Sequence, residues 1–107
     1  MRMEKKIIEL FITIINNKMS LKSIFKEALN VLQDIGTKNH IETEKLIDIY
    51  GMYKQITCGN VQFNNNFKTL KEKRLWESWN SFKGLDKTEG MTIFIKIVYE
   101  LVYKYNN

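Results

Sequence analysis

Residues 43–60 read Thr-Glu-Lys-Leu-Ile-Asp-Ile-Tyr-Gly-Met-Tyr-Lys-Gln-Ile-Thr-Cys-Gly-Asn. Leu46, Ile49, Tyr50, Tyr53, Ile56 and Thr57 recur at three- and four-residue steps, the period that stacks side chains along one side of an α-helix. Gly59 supplies a stop signal, so the spacing predicts a helix over Thr43 to Thr57. Tyr50 and Tyr53 then share a face, and Lys54, four residues from Tyr50, adjoins them. Such a patch offers an aromatic surface for a base, and hydroxyls and an ammonium for a phosphate. The same spacing also describes two core tyrosines with Lys54 snorkelling past them.

Helical spacing continues on both sides. Upstream, Leu21, Ile24, Phe25, Ala28, Leu32 and Ile35 form a stripe, with Ser20 as N-cap and Gly36 as the expected end. Residues 36–42 are polar and read as a loop. Downstream, residues 60–68 carry no stripe, and the run Asn64-Asn65-Asn66 favours turns because its side chains compete for nearby backbone groups. Phe63 and Phe67 are expected to tuck this loop onto the helices. Thr69 and Glu72 form a capping box ahead of a stripe of Leu75, Trp76, Trp79 and Phe82, and Gly84 closes that segment. Asp86 and Glu89 open a last helix whose stripe is Met91, Phe94, Ile95, Val98, Leu101, Val102 and Tyr105. No strand alternation and no internal repeat interrupts this all-α reading.

The N-terminus stays open between readings. Arg2, Lys5 and Lys6 precede an apolar run from Ile7 to Ile15 that Glu9 interrupts. The run falls short of the ~20 apolar residues that span a bilayer. Asn16-Asn17-Lys18 makes a poor cleavage site for a secretory leader. An extra amphipathic helix is the expectation, with a secretory signal or membrane-surface contact through residues 1–17 as the alternatives.

A length of 107 residues, 44% hydrophobic and 27% charged, fits one folded domain. The net charge of +5 favours an anionic partner. However, 14 Ile, 11 Asn and 15 Lys with no Pro is the bias AT-rich coding produces, so the position of charge carries more than its total. Residues 44–74 hold six basic and three acidic side chains, whereas residues 75–107 balance. Basic and aromatic residues form no stripe along one face, so nucleic-acid binding is not expected. Cys58, the single cysteine, excludes an internal disulfide; it is expected to be a small buried residue, in a reducing compartment. His40, the single histidine, lies in a polar loop, and acidic residues are scattered singly. Neither a catalytic triad nor a phosphate-cradling glycine loop nor a metal cluster is legible, so no enzyme activity, cofactor or metal is expected.

Tyr50-Gly51-Met52-Tyr53-Lys54-Gln55-Ile56-Thr57-Cys58-Gly59-Asn60 resembles the Tyr-x-x-Tyr-Lys-Gln-Ala-Thr-x-Gly-Asp stretch of acyl-CoA-binding proteins. Trp76-Glu77-Ser78-Trp79-Asn80-Ser81-Phe82-Lys83-Gly84, followed by Glu89-Gly90-Met91, resembles the family's Trp-x-x-Trp-Asn-x-x-Lys-Gly and Glu-x-Ala-Met. Order and spacing agree to within one residue between the two blocks. The resemblance covers roughly residues 21–106, with Tyr103-Lys104-Tyr105 similar to the family's ending. It implies an up-down-down-up four-helix bundle over residues 20–107, with residues 1–19 as an N-terminal extension. It also implies a monomer that takes up one acyl-CoA.

Carried over by position, the resemblance gives Tyr53 the role of stacking on adenine. Tyr50 and Lys54 match residues that hold the ribose 3′-phosphate, and Leu46 and Ile47 match apolar lining near the acyl chain. Lys71 matches the first lysine of the family's stretch before the first tryptophan. Three positions depart from the pattern. The family lysine directly before that tryptophan is Leu75, the last-helix tyrosine is Phe94, and the first-helix lysine near the CoA phosphates is Gln33. Arg74 is the neighbouring cation, about 100° around the helix from Leu75. The implied function is non-covalent binding of long-chain acyl-CoA esters as a cytoplasmic carrier, with the CoA head read more weakly. The alternative is a helical interaction or membrane-surface module whose ligand binding has decayed.

Overall fold

A computed structural model describes residues 20–106 together with Lys5, Ile8, Glu9 and Ile12. Among the described residues the protein is all-α, with helices α1 (Leu21–Lys38), α2 (Thr43–Cys58), α3 (Leu70–Ser81) and α4 (Lys87–Asn106) and no strand. The expected leading helix falls on residues 1–19. The four residues described there are exposed and in helical backbone, and the rest of that expectation lies outside the described residues. No described helix is long and apolar enough to cross a membrane.

Short oxygen-bearing side chains set the helix starts by satisfying backbone donors that have no partner within the helix. Ser20 accepts from the Ser23 N–H at 3.1 Å and Thr69 from the Glu72 N–H at 3.0 Å. Asp86 accepts from the N–H groups of Thr88 and Glu89 at 3.0 and 3.2 Å. The return half of the box at Thr69 is displaced by one residue, because the Glu72 carboxylate takes the Lys68 N–H at 2.7 Å. At its other end α1 overruns the expected stop and continues through Gly36 to Lys38. Asn39 explains the overrun: its backbone N–H and its side-chain amide both donate to the Ile35 carbonyl, at 2.9 and 3.1 Å. The Asp34–Lys38 ion pair, at 3.2 Å, adds to the same turn.

The chain forms two compact units, Ile41–Gly90 and the pair Met1–His40 with Met91–Asn107. In the second of these, α1 buries Ile24, Phe25, Ala28 and Ile35, and α4 buries Met91, Phe94, Ile95, Val98, Tyr99 and Leu101. Phe25 and Phe94 meet edge to face with centroids 5.1 Å apart. The Tyr105 hydroxyl donates to the His40 carbonyl at 3.1 Å.

In the unit Ile41–Gly90, α2 and α3 approach so closely that a methyl group on Gly51 would overlap Ser78 Oγ and stand 2.5 Å from the Ser78 carbonyl carbon. The buried Ser78 hydroxyl donates to the Ile47 carbonyl at 2.7 Å across the crossing. Here the face expected from periodicity is corrected in part: Ile49 and Ile56 are buried as expected and Tyr50 is half-buried, but the other three residues of that stripe are not. Ile47, Ile49, Gly51, Met52, Gln55 and Ile56 are buried, while Leu46, Tyr53 and Thr57 are exposed. Two further expectations fail. Phe63 stands exposed on the loop while Phe67 alone packs, against Trp76 at 5.7 Å. Cys58, on the last residue of α2, is exposed.

Candidate functional site

A groove of about 370 Å³ opens in the unit Ile41–Gly90. Tyr50 of α2 contributes to its wall, as do Leu75, Trp76 and Trp79 of α3 and Asn64, Phe67 and Lys68 of the loop between them. Four aromatic rings beside a few polar groups make a lining suited to a ligand with both apolar and polar parts. The Lys54 ammonium lies over the Trp79 ring, 4.9 Å from its centroid, so the groove's aromatic wall holds a cation at its edge.

The indoles are fixed by the loop they face. Trp76 Nε1 donates to the Gln62 carbonyl at 2.9 Å, and Trp79 Nε1 donates to the Gly59 carbonyl at 2.8 Å. Gly59 has φ 79°, a left-handed conformation that turns the chain out of α2 and presents that carbonyl. Gln55 Nε2 donates to Asn60 Oδ1 at 2.9 Å and to the Leu85 carbonyl at 3.3 Å. Asn60 Oδ1 also accepts the Gly84 N–H at 2.8 Å, so the orientation of both amides is set by their partners. The two blocks legible in the sequence are therefore bonded to one another, Trp79 to Gly59 and Gly84 to Asn60. Sequence reading missed Gln55, Asn60 and Ser78 as the residues that hold the walls. A glycine in mid-helix at position 51, costly in an isolated helix, was the available signal for a close crossing.

Of the residues singled out in the sequence, Tyr50 and Leu75 line this groove and Lys54 stands at Trp79. Tyr53 is exposed on α2, so Tyr50 and Tyr53 do not share the groove wall. Leu46 is exposed and Ile47 buried, which separates the two residues paired as apolar lining. Arg74 is held in an ion pair with Glu44, and Lys71 is exposed on the first turn of α3. Gln33 and Phe94 belong to the other unit, Gln33 exposed on α1 and Phe94 only 1% exposed against Phe25.

Electrostatics at the end of α2 act on Cys58. Its thiol is pulled below the ordinary value of 9.0, chiefly by the Thr57 hydroxyl 3.6 Å away; desolvation opposes this, and the Lys54 charge adds a lesser pull in the same direction as Thr57. Thr57 also donates to the Tyr53 carbonyl at 2.8 Å and can turn its proton toward a thiolate.

Residues 22–98 match the family described as Acyl CoA binding protein. A protein of the genus Hypsibius named for acyl-CoA binding is 34% identical over 87 residues, covering 80% of this chain and 96% of its own length. The acyl-CoA-binding protein of Saccharomyces cerevisiae is 27% identical over 88 residues, 81% of this chain and 99% of its own. Acyl-CoA-binding protein 2 of Saccharomyces pastorianus is 28% identical with the same coverage. The family match runs from α1 into α4 and includes the groove and both bonded blocks, and the chain belongs to the acyl-CoA-binding protein family.

Proposed function

We propose that this protein binds long-chain acyl-CoA esters non-covalently and carries them as an intracellular pool, with no chemical step of its own. The observation that carries the reading is the aromatic groove with Tyr50 on its wall and Lys54 poised over Trp79. Tyr50 and Lys54 take the ribose 3′-phosphate, Tyr53 stacks on the adenine, and apolar surface shields the acyl chain. Burial of that chain contributes ~0.8 kcal/mol per CH₂ and does not depend on reading the CoA head. The head is read weakly, because Leu75 stands where the family has a lysine and Arg74 is engaged by Glu44. A lost charge-assisted hydrogen bond costs both ligands ~1.5–3 kcal/mol, and burial of the acyl chain, open only to the ester, makes palmitoyl-CoA bind far more tightly than free CoA.

Isothermal titration with palmitoyl-CoA and with free CoA tests this. The expected result is saturable one-to-one binding of palmitoyl-CoA and weak or unmeasurable binding of free CoA. Absence of heat with both ligands overturns the carrier reading and leaves a helical module without this ligand.

A further inference from the structure

Phe63 and Leu70 are the most exposed large apolar side chains among the described residues, at 82% and 72%. They lie seven residues apart, on the asparagine-rich loop and on the first residue of α3. The backbone around Phe63 is pinned. Trp76 Nε1 holds the Gln62 carbonyl just before it, Phe67 packs on the Trp76 ring just after it, and Asn64 Oδ1 closes a turn on the Asn66 N–H at 2.9 Å. Phe63 is thereby kept out of the packed interior. Leu70 is turned outward by the helix, since the half-buried Leu75 and Trp79 occupy the opposite face of α3.

Charge around these two side chains is predominantly basic, with Glu72 as the acidic exception. Lys68, Lys71 and Lys73 are exposed, and no ion pair among the described residues engages them. No acidic residue occurs between Asp48 and Glu72, and the Glu72 carboxylate is taken by the Lys68 N–H. Two outward apolar side chains set among lysines match the two layers of an anionic lipid surface. Apolar groups enter the boundary of the acyl chains while ammonium groups meet the headgroups. The uncharged Asn64-Asn65-Asn66 run suits the polar headgroup layer between them.

We propose that the loop of residues 62–68 and the first turn of α3 dock the protein on anionic membranes, with Phe63 and Leu70 inserted and Lys68, Lys71 and Lys73 on the headgroups. This docking needs no bound acyl-CoA and stands apart from the carrier reading. The same loop supplies Asn64, Phe67 and Lys68 to the groove wall, so a docked molecule brings the groove to the lipid surface.

Co-sedimentation of the ligand-free full chain with phosphatidylcholine vesicles, with and without phosphatidylserine, tests the proposal. Wild type pellets with the phosphatidylserine vesicles, and at least ~10-fold more weakly with neutral vesicles or at high salt. The double variant Phe63→Asn/Leu70→Gln and the single variant Lys73→Glu each lower partitioning ~10-fold or more with an unchanged thermal melt. Phe63, Leu70 and Lys73 neither line the groove nor match a ligand-holding position, so palmitoyl-CoA titration of the same variants separates loss of docking from loss of ligand binding. No pelleting of wild type overturns the proposal. So does wild-type pelleting by the Phe63/Leu70 variant, which assigns lipid binding to another surface such as residues 1–17.

Discussion

Leu75 is half-buried on the same groove wall as Tyr50, so a cation introduced there enters the groove rather than solvent. Leu75→Lys is expected to tighten free CoA by ~10- to 100-fold, since a charge-assisted hydrogen bond is worth ~1.5–3 kcal/mol and ~1.4 kcal/mol is tenfold. Titration with free CoA reads this directly, and an unchanged affinity rules out a phosphate beside residue 75. Lys54→Ala should act in the opposite sense. Cys58 offers a second readout of the same lysine. Because Thr57 and Lys54 lower its pKa, iodoacetamide alkylation should reach half its maximal rate below pH 9.0. Thr57→Val and Lys54→Ala should each move that midpoint upward. Saturating palmitoyl-CoA, which carries no free thiol, should do likewise by engaging Lys54, and a midpoint indifferent to it would separate Lys54 from the phosphate. The low pKa of Cys58 was not legible in the sequence. It depends chiefly on the Thr57 hydroxyl beside an exposed thiol, whereas a small buried residue was the expectation.

At the scale of elements, the helix starts at Ser20, Thr69 and Asp86 were legible because caps are local: the donor and acceptor lie within three residues. The buried face of α2 was not. Leu46, Tyr50, Tyr53 and Thr57 repeat at helical spacing on one side, while Ile47, Gly51 and Gln55 repeat on another, and no local rule chooses between them. What decides is the crossing partner. Ser78 fits only against a residue without a side chain, so the Gly51 face turns inward, leaving Tyr50 on the groove wall and Tyr53 exposed. Gly51→Ala should therefore destabilise the protein by ~1–3 kcal/mol through overpacking, against a gain in helix propensity of under ~1 kcal/mol. For a domain of this size that is a fall in Tm of about 5–15 °C, read by circular dichroism. Ser78→Ala, which removes the bond to the Ile47 carbonyl and adds no atoms, should cost less. A Gly51→Ala protein as stable as wild type would show that the crossing relaxes without penalty.

For the molecule as a whole, periodicity delivers helices and leaves their mutual placement open, so the up-down-down-up order rested on the resemblance alone. The bonds from Trp79 to Gly59 and from Gly84 to Asn60 explain why two separated blocks carry so specific a resemblance: each block completes the other. Packing of the chain's first and last described helices shows a further limit. Tyr99 falls outside the narrow stripe read along α4, yet it is buried, because a helix against a core hides a band wider than one row of side chains. Burial pushes the Tyr99 phenol above its ordinary value of 10.0, and the Glu27 carboxylate adds to the rise. The folded protein thus holds this proton more strongly than the unfolded chain. The resulting stability is present below pH 10.0 and is lost as pH climbs from there through the raised value. Thermal melts taken from about pH 8 to about pH 12 should stay level for this group's contribution and then fall, the fall being shallower in Tyr99→Phe. Glu27→Gln should leave the start of the decline in place but make it end at a lower pH and be smaller, by removing the smaller of the two causes. Identical alkaline profiles for wild type and Tyr99→Phe would mean that the phenol ionises without opening the α1–α4 unit.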